Sequence, residues 1–212
     1  MPNAWVPFFP LVIFVVVIPL VVWGSVVARR RTAENLQKLA GQLGLEFQPA
    51  AGWTQSPRVS GTLRGKPVEV FTYATGSGKT RKTWAAVSVR PAGNSGLTFA
   101  LQKQGLGTKI FELFGAREIT VGEPEFDAAW FIQTNQPDYL RPALLPEIRE
   151  KLTAVRRAGA RGKFECNGGL VKYAEEGSFS QAQRSERFVA LADVVGDLAE
   201  VVEVAGTIEG PA

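Results

Sequence analysis

The stretch Val59-Ser60-Gly61-Thr62-Leu63-Arg64-Gly65-Lys66-Pro67-Val68-Glu69-Val70-Phe71-Thr72-Tyr73 holds two runs of strand-forming residues around a short polar segment. The glycine and proline of that segment predict a tight turn between two strands. Further short strands are predicted nearby, with no helical pattern between them. Strands at this spacing, joined by tight turns, pair antiparallel. The additional strands are predicted at Leu45–Phe47, Thr83–Arg90, Leu97–Leu101, Ile119–Val121 and Ala129–Thr134.

Helical patterns flank this strand region on both sides. Apolar residues recur at spacings of three and four in Thr32–Leu43, Pro142–Arg157 and Gln181–Ala205. A second hairpin is predicted where Lys163–Cys166 and Leu170–Tyr173 flank an Asn-Gly-Gly turn. The sequence therefore predicts an α+β fold, in which helices, including a C-terminal amphipathic helix, cover an antiparallel sheet. We expect residues 45–205 to form one domain, followed by a flexible tail at 206–212.

The N-terminus is apolar until Arg29, the first charged residue of the chain. A helix of 20-odd apolar residues is long enough to cross a hydrocarbon core of about 30 Å. A cleaved signal peptide is disfavoured, because no basic residue precedes the apolar run and the run is too long. We expect a transmembrane anchor at residues 1–28 and a juxtamembrane helix at 29–44. Trp5 and Trp23 lie near the two ends, where amphipathic rings prefer the headgroup layer.

Basic residues follow the anchor and none precedes it. Since lysine and arginine stay on the cytoplasmic side, we expect a single-pass protein with its N-terminus outside and its domain in the cytoplasm. Arg29, Arg30 and Arg31 either set this topology alone or also contact anionic lipid of the bilayer.

The chain has no histidine and one cysteine. Zero histidine excludes Ser-His-Asp and Cys-His catalysis and disfavours zinc sites. The single Cys166 cannot form an internal disulfide, and we expect it to be a small buried hydrophobe. The sequence therefore indicates a protein that is not an enzyme and has no cofactor or metal. Chemistry through carboxylates, lysine or tyrosine remains the alternative.

Charge is divided unevenly along the chain. Residues 188–212 carry five acidic side chains and no basic one, whereas the rest of the chain has an excess of basic residues. In the last helix Asp193, Asp197 and Glu200 share one face, which either binds a protein partner or is solvated. The basic residues elsewhere are scattered and accompany no known motif, so we expect no binding to nucleic acid.

Four further groups of residues are candidates for function. Thr75–Thr80 contains Gly-Lys-Thr but lacks the first glycine of a phosphate-binding loop and precedes a strand, so a hairpin loop is predicted. The carboxylates of Glu123, Glu125 and Asp127 predict a solvated turn rather than a calcium site. Glu175-Glu176 beside a glycine predicts a surface turn. The aromatic residues Phe126, Trp130 and Phe131 are expected in the core.

The segment Gly122-Glu123-Pro124-Glu125-Phe126-Asp127, then Trp130-Phe131-Ile132-Gln133-Thr134, then Leu144-Leu145 opening a helix, resembles a group of bacterial proteins in which a membrane segment precedes a domain of unknown function. Gly44-Leu45-Glu46-Phe47 after the N-terminal helix is similar to theirs as well. The resemblance spans about residues 33–205. It implies a bacterial origin and attachment to the membrane, and no catalytic residues.

These observations together predict a membrane-tethered cytoplasmic binding or scaffolding module at the inner (plasma) membrane of a bacterium. Its partners would be the lipid bilayer and an unidentified protein. The alternative is a membrane-proximal enzyme using carboxylate or lysine chemistry. Nucleotide binding through residues 75–80 is disfavoured, and the oligomeric state stays open.

Overall fold

The computed structural model describes residues 18–52, 55–93, 95–104 and 116–209. These residues form a nine-stranded sheet, five helices and one short 3-10 turn. The strands are β1 (Glu46–Gln48), β2 (Arg58–Leu63), β3 (Lys66–Thr75), β4 (Lys82–Val89), β5 (Phe99–Lys103), β6 (Arg117–Ile119), β7 (Trp130–Thr134), β8 (Lys163–Asn167) and β9 (Leu170–Glu176). The helices are α1 (Ile18–Leu43), α2 (Pro124–Ala129), α3 (Pro137–Ala143), α4 (Pro146–Arg157) and α5 (Ala182–Glu209).

The strand order is β1-β2-β3-β4-β9-β8-β5-β7-β6, and each neighbouring pair in the described chain is antiparallel. This confirms the predicted α+β fold with an antiparallel sheet and a C-terminal helix. The β8–β9 hairpin enters the middle of the sheet, between β4 and β5. Both predicted tight turns form, and each has two residues with positive φ, as two-residue hairpins favour. These residues are Arg64 and Gly65 in one turn and Gly168 and Gly169 in the other.

The core lies between one face of the sheet and helices α1 and α5. Alternate side chains are buried along β8 and β9, as the period-two pattern of a half-covered strand requires, whereas β4 is buried at every position from Ala85 to Val89. Val68 and Val70 of β3 and Val87 and Val89 of β4 are at most 2% exposed. Helix α5 packs across β4 and β9, and α1 packs beside it on β2.

Helix α1 changes character along its length. Leu36 and Leu39 are fully buried against the domain, whereas Leu20 and Trp23 are 64% and 70% exposed. The helix ends at Leu43, as the apolar periodicity of Thr32–Leu43 predicts, and Gly44 caps it, since Gly44 has a φ of +66° and the next N–H donates back to the Ala40 carbonyl. Within the described residues, no helix is both long enough and apolar enough to cross a membrane. Residues 1–17 of the predicted anchor, with Trp5, lie outside them.

Two helix boundaries differ from those predicted. The region Pro142–Arg157 was expected as one helix, but α3 ends at Ala143 and α4 begins at Pro146. Pro146 lacks an N–H to donate backwards, so it starts a new helix rather than continuing the previous one. Helix α5 continues through Glu209, past the predicted end at Ala205. The flexibility of the tail stays a prediction, and residues 210–212 lie outside the described chain.

The two ends of the sheet hold different loops. At one end, which we call the α1 end, α1 leaves the domain and the loops 76–81, 158–162 and 177–181 come together. Asn35 of α1 donates a 2.7 Å hydrogen bond to the Phe179 carbonyl, and the Gly177 N–H donates to the Thr83 carbonyl at 2.7 Å. The opposite end, which we call the Arg64 end, holds the β2–β3 turn and the C-terminal half of α5.

Candidate functional site

The carboxylates predicted to form an acidic face come together at the Arg64 end. Asp193, Asp197 and Glu200 lie on successive turns of α5, because residues three and four apart share a helix face. The β2–β3 turn projects Arg64 toward all three, and its guanidinium pairs with Asp193, with Asp197 and, at 3.2 Å, with Glu200. The hydrogen bond to Asp197 raises the pKa of Arg64. The acidic face is therefore partly neutralised within the chain.

A second cation completes this cluster from helix α4. The Lys151 ammonium lies 2.7 Å from carboxylate oxygens of Asp193 and Asp197. Its hydrogen bonds to these two groups raise the pKa of Lys151. Lys151 therefore stays protonated at neutral pH, and an ammonium has no lone pair for nucleophilic or base chemistry. The arrangement fixes the positions of both cations against the carboxylates of α5.

An apolar groove adjoins the cluster. It lies between α5 and the α3–α4 corner, with a volume of about 450 Å³. Its apolar lining consists of Tyr139, Ala143, Leu145, Ile148, Val201 and Val204. Leu145 and Val204 are 51% and 53% exposed, and Ile208, one turn further along α5, is 69% exposed. Large apolar side chains grouped at an open groove mark a binding surface.

The rim of the groove is acidic. Glu147, Asp197 and Glu200 line it together with the single cation Lys151. The Tyr139 hydroxyl donates a 2.6 Å hydrogen bond to the Val201 carbonyl, which fixes α3 against α5. The groove thus combines a preformed apolar floor with a net negative rim, and it suits an apolar segment bordered by basic side chains.

A buried ionic cluster lies at the α1 end. Glu175, expected in a surface turn, is instead the next-to-last residue of β9 and is only 3% exposed. That expectation was wrong because Arg184 and Arg187 of α5 fold over the carboxylate. The Tyr173 hydroxyl donates to it at 2.7 Å. Burial alone would raise the pKa of Glu175, but these three hydrogen bonds lower it below its ordinary value of 4.5.

The sheet face opposite the helices carries a chain of charges. Glu165 of β8 pairs with Lys163 on its own strand and with Lys172 of β9, at 2.8 Å for the latter. Burial lowers the pKa of Lys163. Lys172 also lies over the Tyr73 ring, 5.4 Å from its centroid, and this ring stacks against Trp84. Lys163 and Lys172 are thus both held by the one carboxylate of Glu165.

The predicted membrane-contact residues lie on the exposed part of α1. Arg29, Arg30 and Arg31 are exposed on the turns just before the helix enters the domain. Arg30 pairs with Glu34 at 3.1 Å. Trp23 is exposed, two turns further from the domain. The structure places these side chains together on one segment, and their contact with lipid stays a prediction.

The other motifs singled out in the sequence occupy a loop, a turn and the core. Residues 75–80 lie in the exposed hairpin between β3 and β4, as expected, and a single 3-10 turn at Gly78–Thr80 forms there instead of an α-helix. Asp127 accepts hydrogen bonds from the N–H groups of Val121 and Gly122, which fixes a turn. Cys166 is fully buried, and burial raises the pKa of its thiol to about 12. In the described part of the chain, no three acidic or cysteine side chains could together hold a metal ion.

Sequence reasoning missed Arg64, Lys151 and the groove. Arg64 stood in a predicted turn, where a charged residue is ordinarily solvated. Lys151 lay on the polar side of a predicted amphipathic helix. A weak signal existed for the groove, because Leu144 and Leu145 are adjacent and cannot both face the core of one helix. Leu144 is buried, whereas Leu145 is turned outward.

The chain has limited similarity to known proteins. No protein-family model matches it, and no curated protein matches its sequence. Among solved structures, its fold is similar to that of the mycobacterial trehalose monomycolate transport factor A, TtfA, with a TM-score of 0.55. The two chains are 13% identical, and the similarity covers 84% of this chain and 95% of that chain. At this level of identity the likeness shows a shared fold.

Proposed function

We propose that this chain is a non-catalytic accessory protein that residues 1–28 tether to the inner membrane of a bacterium, with the sheet domain in the cytoplasm. There it binds a protein partner through the groove between α5 and the α3–α4 corner. The occupant is an amphipathic helix whose basic side chains meet the acidic rim. The observation that carries this proposal is the group of exposed apolar side chains beside Asp197 and Glu200.

Three further features support a binding role. Asp197 pairs with Arg64 and Lys151, and Glu200 pairs with Arg64, so both cations of this cluster are held as charged groups with a raised pKa. The shared fold with a protein described as a transport factor suggests an accessory role in transport for this chain too. The exposed apolar half of α1, followed by three arginines, supports the tether.

The tether and its direction are tested with single cysteines in the full chain. Cys166→Ala removes the native thiol, and Asn3→Cys or Lys38→Cys adds one on either side of the proposed anchor. An impermeant maleimide applied to intact spheroplasts should modify Asn3→Cys only, whereas lysed cells should allow both to react. Labelling of Lys38→Cys in intact spheroplasts would contradict the cytoplasmic location.

The groove is tested by placing a photo-crosslinking amino acid at Leu145 or Val204 in cells. We expect both positions to crosslink to the same protein, at peptides containing apolar and basic residues. The matched control is the same amino acid at Gln37, which is exposed on α1 away from the groove. Crosslinks to lipid alone, or equal crosslinking from Gln37, would contradict a protein partner in the groove. A Leu145→Asp variant should lose the crosslink formed from Val204.

A further inference from the structure

We infer that the α1 end of the sheet domain is a second membrane-contact surface, which docks onto the anionic lipid headgroups of the bilayer that holds the anchor. This inference rests on the proposed tether and extends it from Arg29–Arg31 to the folded domain. Its residues are Lys79 and Arg81 of the β3–β4 loop, Arg157 at the end of α4 and Arg161 of the α4–β8 connection.

The fold brings these four residues to one end of the sheet although they lie far apart in sequence. The β3–β4 loop joins the 177–181 loop through the Gly177–Thr83 hydrogen bond. The α4–β8 connection reaches the same place, since the Arg161 N–H faces the Glu175 carboxylate at 3.4 Å. Asn35 attaches α1 to this end through Phe179. The exposed half of α1 therefore projects from the surface that carries the basic loops.

The α1 end carries more exposed basic side chains than exposed acidic ones, and these basic side chains are open to contact with anionic lipid. Lys79, Arg81, Arg157 and Arg161 are exposed, and no carboxylate among the described residues forms an ion pair with any of them. The carboxylates nearby do not offset this charge, because Glu34 pairs with Arg30 and Glu176 pairs with Lys82, at 3.1 and 2.7 Å. The exposed carboxylates that remain are Glu186 on the first turns of α5 and Glu125 and Glu150, which line the same cavity as Arg157. The four basic residues outnumber these three.

The distance from the proposed membrane surface favours contact. Arg31 and Asn35 are four residues apart on a continuous helix, which corresponds to about 6 Å along its axis. The Debye length at physiological ionic strength is about 8 Å, so the basic loops lie within reach of the potential of anionic headgroups. Apart from Glu186, the described carboxylates of α5 pair with residues of the opposite end of the sheet, where that potential would not repel them.

The experiment uses the full chain in lipid nanodiscs, with Cys166→Ala as background. A fluorophore on Ser77→Cys reports the α1 end, and one on Ala92→Cys reports the Arg64 end. Quenching by a lipid with a nitroxide on its headgroup measures how near each probe lies to the bilayer. Discs of phosphatidylcholine are compared with discs that also contain phosphatidylglycerol.

We expect strong quenching of the Ser77 probe in anionic discs, weak quenching in neutral discs or at high salt, and little quenching of the Ala92 probe. The double variant Arg81→Glu/Arg161→Glu should lower the ratio of docked to undocked protein by at least about 25-fold. Each basic side chain at the surface contributes about fivefold, and the two introduced carboxylates are also repelled by the anionic lipid. The matched double variant Arg90→Glu/Arg117→Glu makes the same charge change at the Arg64 end and should preserve docking.

Two results would overturn the inference. One is equal quenching of the Ser77 probe in neutral and anionic discs, which needs no variant and so does not depend on variant folding. The other is an equal loss of docking in the two double variants, each shown to be folded by circular dichroism. Failure of the chain to incorporate into discs of either composition would instead refute the tether itself.

Discussion

The two ionic clusters of this molecule contain similar groups in different surroundings. At the Arg64 end, Arg64 and Lys151 meet three carboxylates, with side-chain exposures of 35% for Arg64 and 43% for Asp193. At the α1 end, Arg184 and Arg187 meet Glu175, whose side chain is 4% exposed. Water and salt screen the first cluster, whereas the second is enclosed. Burial, rather than the number of ion pairs, should decide which cluster stabilises the fold.

The largest expected effect comes from Glu175→Ala. Removing the carboxylate leaves two arginines enclosed without their partner, which should lower the free energy of unfolding by about 3–5 kcal/mol. The matched control is Glu176→Ala, since Glu176 is exposed and pairs only with Lys82. That variant should cost less than about 1 kcal/mol. Urea unfolding of both measures the difference, and equal losses would contradict the role given to burial.

The pH dependence of stability should show the contribution of the buried Glu175 cluster. The folded-state pKa of Glu175 is lowered, so its contribution is present above its ordinary value of 4.5 and is lost as pH falls through the folded-state pKa. The stability difference between the wild-type protein and Glu175→Gln should therefore be constant near neutral pH and shrink below pH 4.5. Thermal unfolding of both proteins across this pH range measures the difference. A difference that widens on acidification would contradict a lowered folded-state pKa for Glu175.

A smaller effect is expected at the Arg64 end. Arg64→Ala should lower the free energy of unfolding by about 1 kcal/mol, because the pairs it loses are partly solvated. A double-mutant cycle with Asp197→Ala isolates the pair from other consequences of each change. The control is Arg58→Ala, which removes one exposed pair with Glu69 at 3.7 Å. A coupling energy as large as the Glu175 effect would show that exposure matters less than we argue.

A loss of the same size as that for Arg64→Ala is expected when a buried group with no charged partner is removed. Cys166→Ala should leave the fold intact and cost about 1 kcal/mol, because it deletes one buried atom from the core. In the wild-type protein, a thiol with a pKa of about 12 and no exposure should react with maleimide only after unfolding. Rapid labelling of the native protein would show that the strands around Cys166 open readily.

Local patterns in the sequence predicted much of the fold. The turns at Arg64-Gly65 and Gly168-Gly169, the cap at Gly44 and the hairpin loop at 75–80 all depend on residues that are neighbours along the chain. The division of one predicted helix into α3 and α4 was missed, although Pro146 signalled it. Only the carboxylates of the candidate site were predicted, because all three share one helix face. Their cationic partners Arg64 and Lys151 come from distant elements and were missed.

Sequence alone determined the apolar N-terminal run, the periodicities of strands and helices, and the position of tight turns, because these depend on interactions between residues a few positions apart. Only the tertiary structure decided the strand order, the enclosure of Glu175 and the pairing of Arg64 with Asp197, which are 133 residues apart. Such contacts form only when the whole sheet and its helices close around them. The local sequence around a side chain does not specify which residue from a distant part of the chain will contact it.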